Sequence, residues 1–263
     1  MSDYTDKVVL VTAAGAGIGR ECALEFGRRG AAVVVGELNE ELAIQTAADI
    51  AESGGSAIAT QMDATNVPDI QRALALAEST YGGLDVLVNV CGGTRYFGTI
   101  EQATEEEWSI TIDTNLNTVY RCSKYAIPLL RKRGGGVIIN TSSVAGVLPG
   151  SSNAAYAAAK GAINTLTQAM ALDCAVDKIR VNAIMPGMML SPRILGWIEN
   201  NPGFENMGEQ FCVMGRAGNP EEAAKLVGFL ASDDASYITG ALVPIDGGYS
   251  AGKQADLMDK GHT

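Results

Sequence analysis

A β-branched apolar run at residues 7–12, KVVLVT, ends in the turn AAGAGIG and passes directly into the helical pattern RECALEFGRRG. Strand, glycine turn and helix in that order place the first amides of the helix where they can hold an anion, which is how a doubly wound dinucleotide-binding sheet opens. The pattern then repeats. Strands are expected at 33–36, 56–62, 84–89, 137–141, 180–185 and 242–245. The helices between them include 67–81, a long one at 108–133 whose last turns Pro128 should kink, 154–176 and 220–230. Near-continuous apolar strands alternating with helices mean a mostly parallel sheet buried on both faces. The expected fold class is therefore α/β, a doubly wound, Rossmann-like sheet with helices on both sides, and residues 1–263 read as one catalytic domain. Regular alternation stops only at 191–218, an insertion that reads as a substrate lid, and residues 250–263 read as a flexible or subunit-contacting tail.

Composition removes several functions. Hydrophobic residues make up 47% of the chain, enough for a sizeable core, and the formal net charge of −11 argues against a phosphate-backbone ligand such as nucleic acid. No apolar run is long enough for a membrane span and the first residues, MSDYTDK, carry two acids instead of a basic leader, so a cytoplasmic protein is expected. Five widely spaced cysteines without a C-x-x-C fit reduced thiols better than disulfides or a zinc site. The only histidine is His262, next to the C-terminal residue. A Ser-His-Asp hydrolase and a histidine-ligated metal are therefore disfavoured, and no metal site is expected.

Two constellations remain. Gly15, Gly17 and Gly19 form G-x-G-x-G, with Arg20 where the dinucleotide pattern would place a further glycine, and Glu37 ends the next strand. A carboxylate there accepts hydrogen bonds from an adenosine ribose and repels a 2′-phosphate, which favours NAD. Tyr156 and Lys160 are four residues apart in the run AAYAAAKGAI. On a helix their Cβ atoms lie about 5–6 Å apart on one face. An ammonium at that range should lower the phenol's pKa and make Tyr156 an acid/base near neutral pH.

Taken with Asp63, Asn89-Val90-Cys91-Gly92, Asn115, Ser143, and Pro186-Gly187 followed by Ser191-Pro192, these residues resemble the short-chain dehydrogenase/reductase family from residue 7 to about 248. The resemblance implies that Tyr156 is the catalytic acid/base, that Lys160 tunes it and bonds the nicotinamide ribose, and that Ser143 holds the substrate oxygen. It implies that Asn115 anchors a water in a proton relay and that Asp63, with Ala64 beside it, caps the adenine. Asn89 and the backbone near Ile18 would line the cofactor, while Met189 and Ser191 would meet the carboxamide. It also implies a homotetramer. Three departures stand out: Ala13 replaces a glycine, so the turn is expected to do without a positive φ there; Val90 and Cys91 replace Asn and Ala; Ser191 replaces Thr.

The reaction implied is hydride exchange between NAD and a small secondary alcohol or ketone. The expected pocket wall draws on Thr94, Arg95 and Tyr96, on Val144, Ala145 and Pro149, and on Met188, Trp197, Phe204, Met207, Phe211 and Met214. Its mainly apolar character suggests a hydrophobic or cyclic substrate, with Arg95 as the one candidate carboxylate clamp. Competing readings are an NADP-dependent ketoreductase, which Glu37 opposes, a non-redox enzyme that retains NAD, and a nucleotide-binding regulatory protein, which would need neither Tyr156 nor Lys160.

Overall fold

The computed structural model describes residues 3–94, 96–201, 206 and 212–252. Seven strands, β1 (Val8–Thr12), β2 (Ala32–Glu37), β3 (Ser56–Gln61), β4 (Val86–Asn89), β5 (Gly136–Thr141), β6 (Ile179–Pro186) and β7 (Leu242–Ile245), form one sheet. Their order is β3-β2-β1-β4-β5-β6-β7, and every pairing is parallel. The winding reverses at β1, where Val9 pairs with Val33 on one side and Val86 on the other. Chain exits diverge at such a switch point and leave a crevice beyond the carboxyl ends of the strands.

Eight helices cover the two faces: α1 (Gly17–Arg28), α2 (Glu40–Glu52), α3 (Val67–Tyr81), α4 (Glu105–Ile112), α5 (Thr118–Lys132), α6 (Ala154–Cys174), α7 (Pro192–Glu199) and α8 (Pro220–Ala231) among the described residues. Alternation along β1 sorts them. Val9 and Val11 pack in one core with Phe26, Ile50 and Val227 from α1, α2 and α8. Val8 and Leu10 pack in the other with Leu74, Leu130 and Met170 from α3, α5 and α6. Both faces are thus buried, as the near-continuous apolar strands require.

The helix expected at 108–133 is longer and less regular than that. It begins at Glu105, where Thr104 and Glu107 form a reciprocal capping box, and it is widened by a π turn at Asp113–Asn117 before α5 continues past Pro128. A π turn inserts an extra residue and disturbs the usual i→i−4 bonding. Here the Asn115 side chain supplies a donor, its Nδ2 reaching the Thr111 carbonyl at 2.9 Å. Neither glycine nor proline marks the spot in the sequence. The region expected as a lid contains α7, with a backbone bridge from Met189 to Gly218; residues 202–205, 207–211 and 253–263, including His262, lie outside the described residues. No described helix is long and apolar enough to cross a membrane.

Candidate active site

The crevice opens into a cavity of about 430 Å³. Ala13, Ala16, Gly17, Ile18 and Glu37 line one part of it, with Ser191 next to Gly17, and Gly92, Gly93, Ser143, Tyr156, Lys160 and Met189 line another. A second cavity of about 470 Å³ adjoins it, walled by Phe97, Val144, Leu148, Ile194, Trp197 and Tyr249. Met188, Arg193 and Ile194 border both.

At the first end the turn departs from expectation. Ala13 adopts φ 51°, so the position does use the left-handed region. Bonds on both sides hold it there: the Ala14 amide donates to the Gly36 carbonyl at 3.1 Å, and Thr12 Oγ1 accepts from the amides of Val90 and Cys91 at 3.0 and 3.3 Å. Those backbone bonds tie the departures Val90 and Cys91 to the β1 end without their side chains. A left-handed alanine carries roughly 1–2 kcal/mol of strain, whereas glycine carries none. Ala13→Gly is therefore expected to raise stability by about 0.5–1 kcal/mol after the loss to unfolded-chain entropy, read from urea titration.

Close packing explains two of the glycines. A Cβ at Gly15 would lie 2.7 Å from Glu37 Cγ, and one at Gly19 would collide with the Ala13 carbonyl. Glu37 is held in place by the Gly15 amide at 3.0 Å and the Asn39 amide at 3.1 Å, one on each carboxylate oxygen. The N-cap of α1 is Ala16, which has no side chain able to bond the first turn, so those amides face the cavity uncapped. Uncapped amides, a glycine cradle and a carboxylate at its edge fit a dinucleotide: diphosphate over the helix start, ribose at Glu37.

At the other end Asn115 fastens the loop after β4. Its Oδ1 accepts from the Gly93 amide at 2.9 Å and its Nδ2 donates to the Gly93 carbonyl at 3.0 Å. Gly92 sits between it and Lys160, since a Cβ there would lie 2.5 Å from Asn115 Oδ1 and 3.3 Å from Lys160 Nζ. Lys160 is buried; its Nζ donates to the Thr141 carbonyl at 2.8 Å and stands 5.6 Å from the Tyr156 ring centroid. Ser143 Oγ accepts from the Ala145 amide at 3.1 Å, which orients the hydroxyl toward the phenol side of the cleft.

The electrostatics reverse one expectation. Burial pushes the Tyr156 phenol above its ordinary value, opposed by a hydrogen bond with Ser143 and by the charge of Arg193. Burial also pulls Lys160 down, to about 8. The ammonium is committed to the Thr141 carbonyl and lies over the ring face, and both groups are driven toward their neutral forms. At pH 7 the cleft therefore holds a protonated phenol beside a still-charged ammonium, which is the acid form of the pair.

Several site candidates lie elsewhere. Asp63 Oδ1 accepts from the Thr65 amide and hydroxyl at 2.8 and 2.7 Å, and neither Asp63 nor Ala64 borders the cavity. Asn89 lies beneath it, its Nδ2 donating to Ser123 Oγ at 3.1 Å and Asn140 Oδ1 at 2.9 Å. Ile18, Met189 and Ser191 do border it. In the apolar cavity Val144, Ala145, Met188 and Trp197 stand as expected, but Leu148 and Gly150 line it instead of Pro149, and Met214 lines a smaller neighbouring pocket. Arg95, Phe204, Met207 and Phe211 lie outside the described residues. Sequence reading missed Phe97, Arg193, Ile194 and Tyr249. Spacing offered a signal for one pair: Arg193 and Trp197 are four apart after Pro192 and share a helical face.

A parallel sheet with a glycine cradle at its switch point and a Ser-Tyr-Lys group beside it defines a dinucleotide-dependent oxidoreductase. A family model described as enoyl-(acyl carrier protein) reductase matches residues 12–250. The chain is 36% identical over 248 residues to cyclohexanol dehydrogenase of Acinetobacter sp., covering 94% of this chain and 96% of the relative. It is 35% identical to meso-2,3-butanediol dehydrogenase of Serratia marcescens, with 94% and 96% covered. A solved 7α-hydroxysteroid dehydrogenase, complexed with NADH and 7-oxo glycochenodeoxycholic acid, superposes with a TM-score of 0.89 at 31% identity, covering 94% of this chain and 95% of that one. The chain belongs to the short-chain dehydrogenase/reductase family.

Proposed function

We propose that the protein is an NAD-dependent dehydrogenase that interconverts a secondary alcohol, hydrophobic or cyclic in its main body, and the corresponding ketone. The observation that carries this reading is the meeting of Tyr156, Ser143 and Lys160 in the cavity whose glycine turn and Glu37 suit a dinucleotide, where it adjoins a more apolar one. The relatives are named for secondary alcohols, cyclic in cyclohexanol and the hydroxysteroid and acyclic in butanediol.

Each residue then has a task. Gly17 and Ile18 supply the backbone that meets the diphosphate, Gly15 and Gly19 give the turn the close packing that shapes it, and Glu37, held by the Gly15 amide, accepts from the adenosine ribose. Asp63 and Ala64, which do not border the cavity itself, are read as meeting the adenine beyond its edge, Asn89 as support from the buried side, and Met189 with Ser191, which do border it, as facing the nicotinamide. The nicotinamide supplies or accepts the hydride when bound. Ser143 positions the substrate oxygen, Tyr156 delivers the proton to it in reduction and removes it in oxidation, and Lys160 holds positive charge near the phenol. Asn115 keeps the Gly93 loop against this centre and serves as the inner member of the proton path. We further read residues 1–263 as one catalytic unit with 191–218 as its lid, working as a cytoplasmic homotetramer.

Cofactor choice rests on Glu37, whose charge disfavours a 2′-phosphate. Steady-state kcat/KM with NAD is expected to exceed that with NADP on cyclic secondary alcohols. In Glu37→Ser the NAD value should fall roughly 10–100-fold, the worth of a charged hydrogen bond, and the gap to NADP should close. An unchanged preference would remove Glu37 from this role; no nicotinamide absorbance change with any alcohol or ketone would remove the dehydrogenase reading itself.

A further inference from the structure

The cleft carries a second cation that the hydride chemistry does not use. Arg193, on the first turn of α7, borders both cavities. Its Nη2 donates to the Thr94 carbonyl at 2.8 Å, so the guanidinium reaches back from the helix over the loop that follows β4. Gly93 makes room for it, since a Cβ at that position would collide with Nη1. The carbonyl occupies one of the five guanidinium donors, and no carboxylate among the described residues pairs with Arg193. Of the other described arginines, eight pair with an acid, and Arg180, the exception, has its guanidinium taken up by three backbone carbonyls, those of Leu230, Ile238 and Ser232.

The surroundings are one-sided. Among the described residues the apolar cavity has no Asp or Glu in its wall, and the dinucleotide cavity has only Glu37, whose carboxylate is held by the Gly15 and Asn39 amides. The reaction end thus presents Lys160 and Arg193 with no carboxylate among the described residues that line it, Glu37 apart. The field of Arg193 already reaches Tyr156, where it opposes the effect of burial on the phenol. A low-dielectric cleft lined by one sign of charge concentrates ligands of the other sign, and a guanidinium with free donors matches a carboxylate in bidentate fashion.

We propose that Arg193 is a specificity residue that binds a carboxylate on the substrate, carried within a few bonds of the reacting carbon, while the apolar remainder fills the 470 Å³ cavity. The substrate class is a hydroxy or oxo acid with a hydrophobic or cyclic body. This rests on the dehydrogenase reading and narrows it. Arg193 does no chemistry; it holds the molecule so that its carbinol carbon faces the nicotinamide and its oxygen faces Tyr156 and Ser143.

The test uses matched pairs of hydroxy-substituted cyclic substrates, each as the free acid and as its primary amide. Initial rates are measured with wild type, Arg193→Met and Arg193→Lys, together with the NAD Kd by fluorescence. Wild type is expected to favour the acid at least tenfold in kcat/KM. In Arg193→Met that ratio should collapse roughly 10–100-fold, chiefly through KM, with NAD Kd unchanged; Arg193→Lys should restore part of it, because it keeps the charge and loses the fork. Higher salt should weaken the wild-type preference. Acid and amide falling together in Arg193→Met would show a structural latch on Thr94 and overturn the proposal. A raised NAD Kd would assign the guanidinium to the cofactor diphosphate and overturn it equally. Turnover of amides but not acids by wild type would overturn the proposal while sparing the dehydrogenase reading; no turnover of any pair or of simple alcohols would sink both.

Discussion

Replacing Tyr156 by phenylalanine removes one oxygen atom and is expected to lower kcat by about 10³-fold while NAD binds as before. The phenol is the one acid/base group of the cleft that lies beside Ser143, and no histidine among residues 3–252 is available to replace it. Phenylalanine keeps the ring that Lys160 faces at 5.6 Å, so packing should survive. Because burial holds the phenol protonated at neutral pH, wild-type ketone reduction should be fast there and decline as the phenol ionises, and alcohol oxidation should rise over the same range. Both slopes should vanish in Tyr156→Phe. Rapid-mixing kinetics and NADH fluorescence read the two properties separately. A kcat within tenfold of wild type would mean that the proton goes elsewhere.

Lys160→Met should show the opposite signs in function and stability. Turnover is expected to fall about 10²–10³-fold, because the ammonium over the Tyr156 ring, 5.6 Å from its centroid, is a positive charge placed beside the group that must move the proton. Yet the cofactor-free variant should be more stable than wild type at pH 7. A fall of the lysine from 10.5 to about 8 in the folded chain corresponds to ~3 kcal/mol. Below about pH 8 both folded and unfolded chains carry the proton and the folded one bears the full penalty of a buried ammonium. Between about 8 and 10.5 the unfolded chain keeps a proton that the folded chain has released, so stability from this group rises with pH through that window. Methionine removes the penalty but leaves the Thr141 carbonyl without its donor, which takes back about 1 kcal/mol. The net gain at pH 7 is about 1–2 kcal/mol, and the difference from wild type should shrink toward pH 10. Urea titrations at both pH values test it; a variant less stable at pH 7 would contradict the account of Lys160 as a strained, functional charge.

The elements came through from local pattern with small shifts at their ends. Helix α3, Val67–Tyr81, and strand β7, Leu242–Ile245, lie where the pattern placed them, because Pro68 and Gly82 bound the helix and the strand is a short apolar run. The π turn at Asp113–Asn117 was invisible, since it is stabilised by an Asn115 bond to Thr111 and by the Gly93 loop, a segment 22 residues earlier. Ala13 misled for a related reason. Residue type argued against a positive φ, but bonds from Ala14 to Gly36 and from Val90 to Thr12 outweigh a strain of roughly 1–2 kcal/mol.

Periodicity and glycine placement were enough to establish a doubly wound parallel sheet, the cradle at Gly15 to Gly19 with Glu37, and the pairing of Tyr156 with Lys160 on one helical turn. These depend on neighbours within a few residues or on a repeating pattern, which a linear string displays. Three-dimensional packing decided what surrounds them. It set the protonation of Tyr156 and Lys160, since burial by segments from across the chain competes with the charge of a residue four positions away. It also brought Arg193 to Thr94, 99 residues apart in the chain, at the border of the apolar cavity. The glycine turn and the Tyr156–Lys160 pair are therefore written locally, and what borders them depends on contacts that exist only once the sheet has closed its crevice.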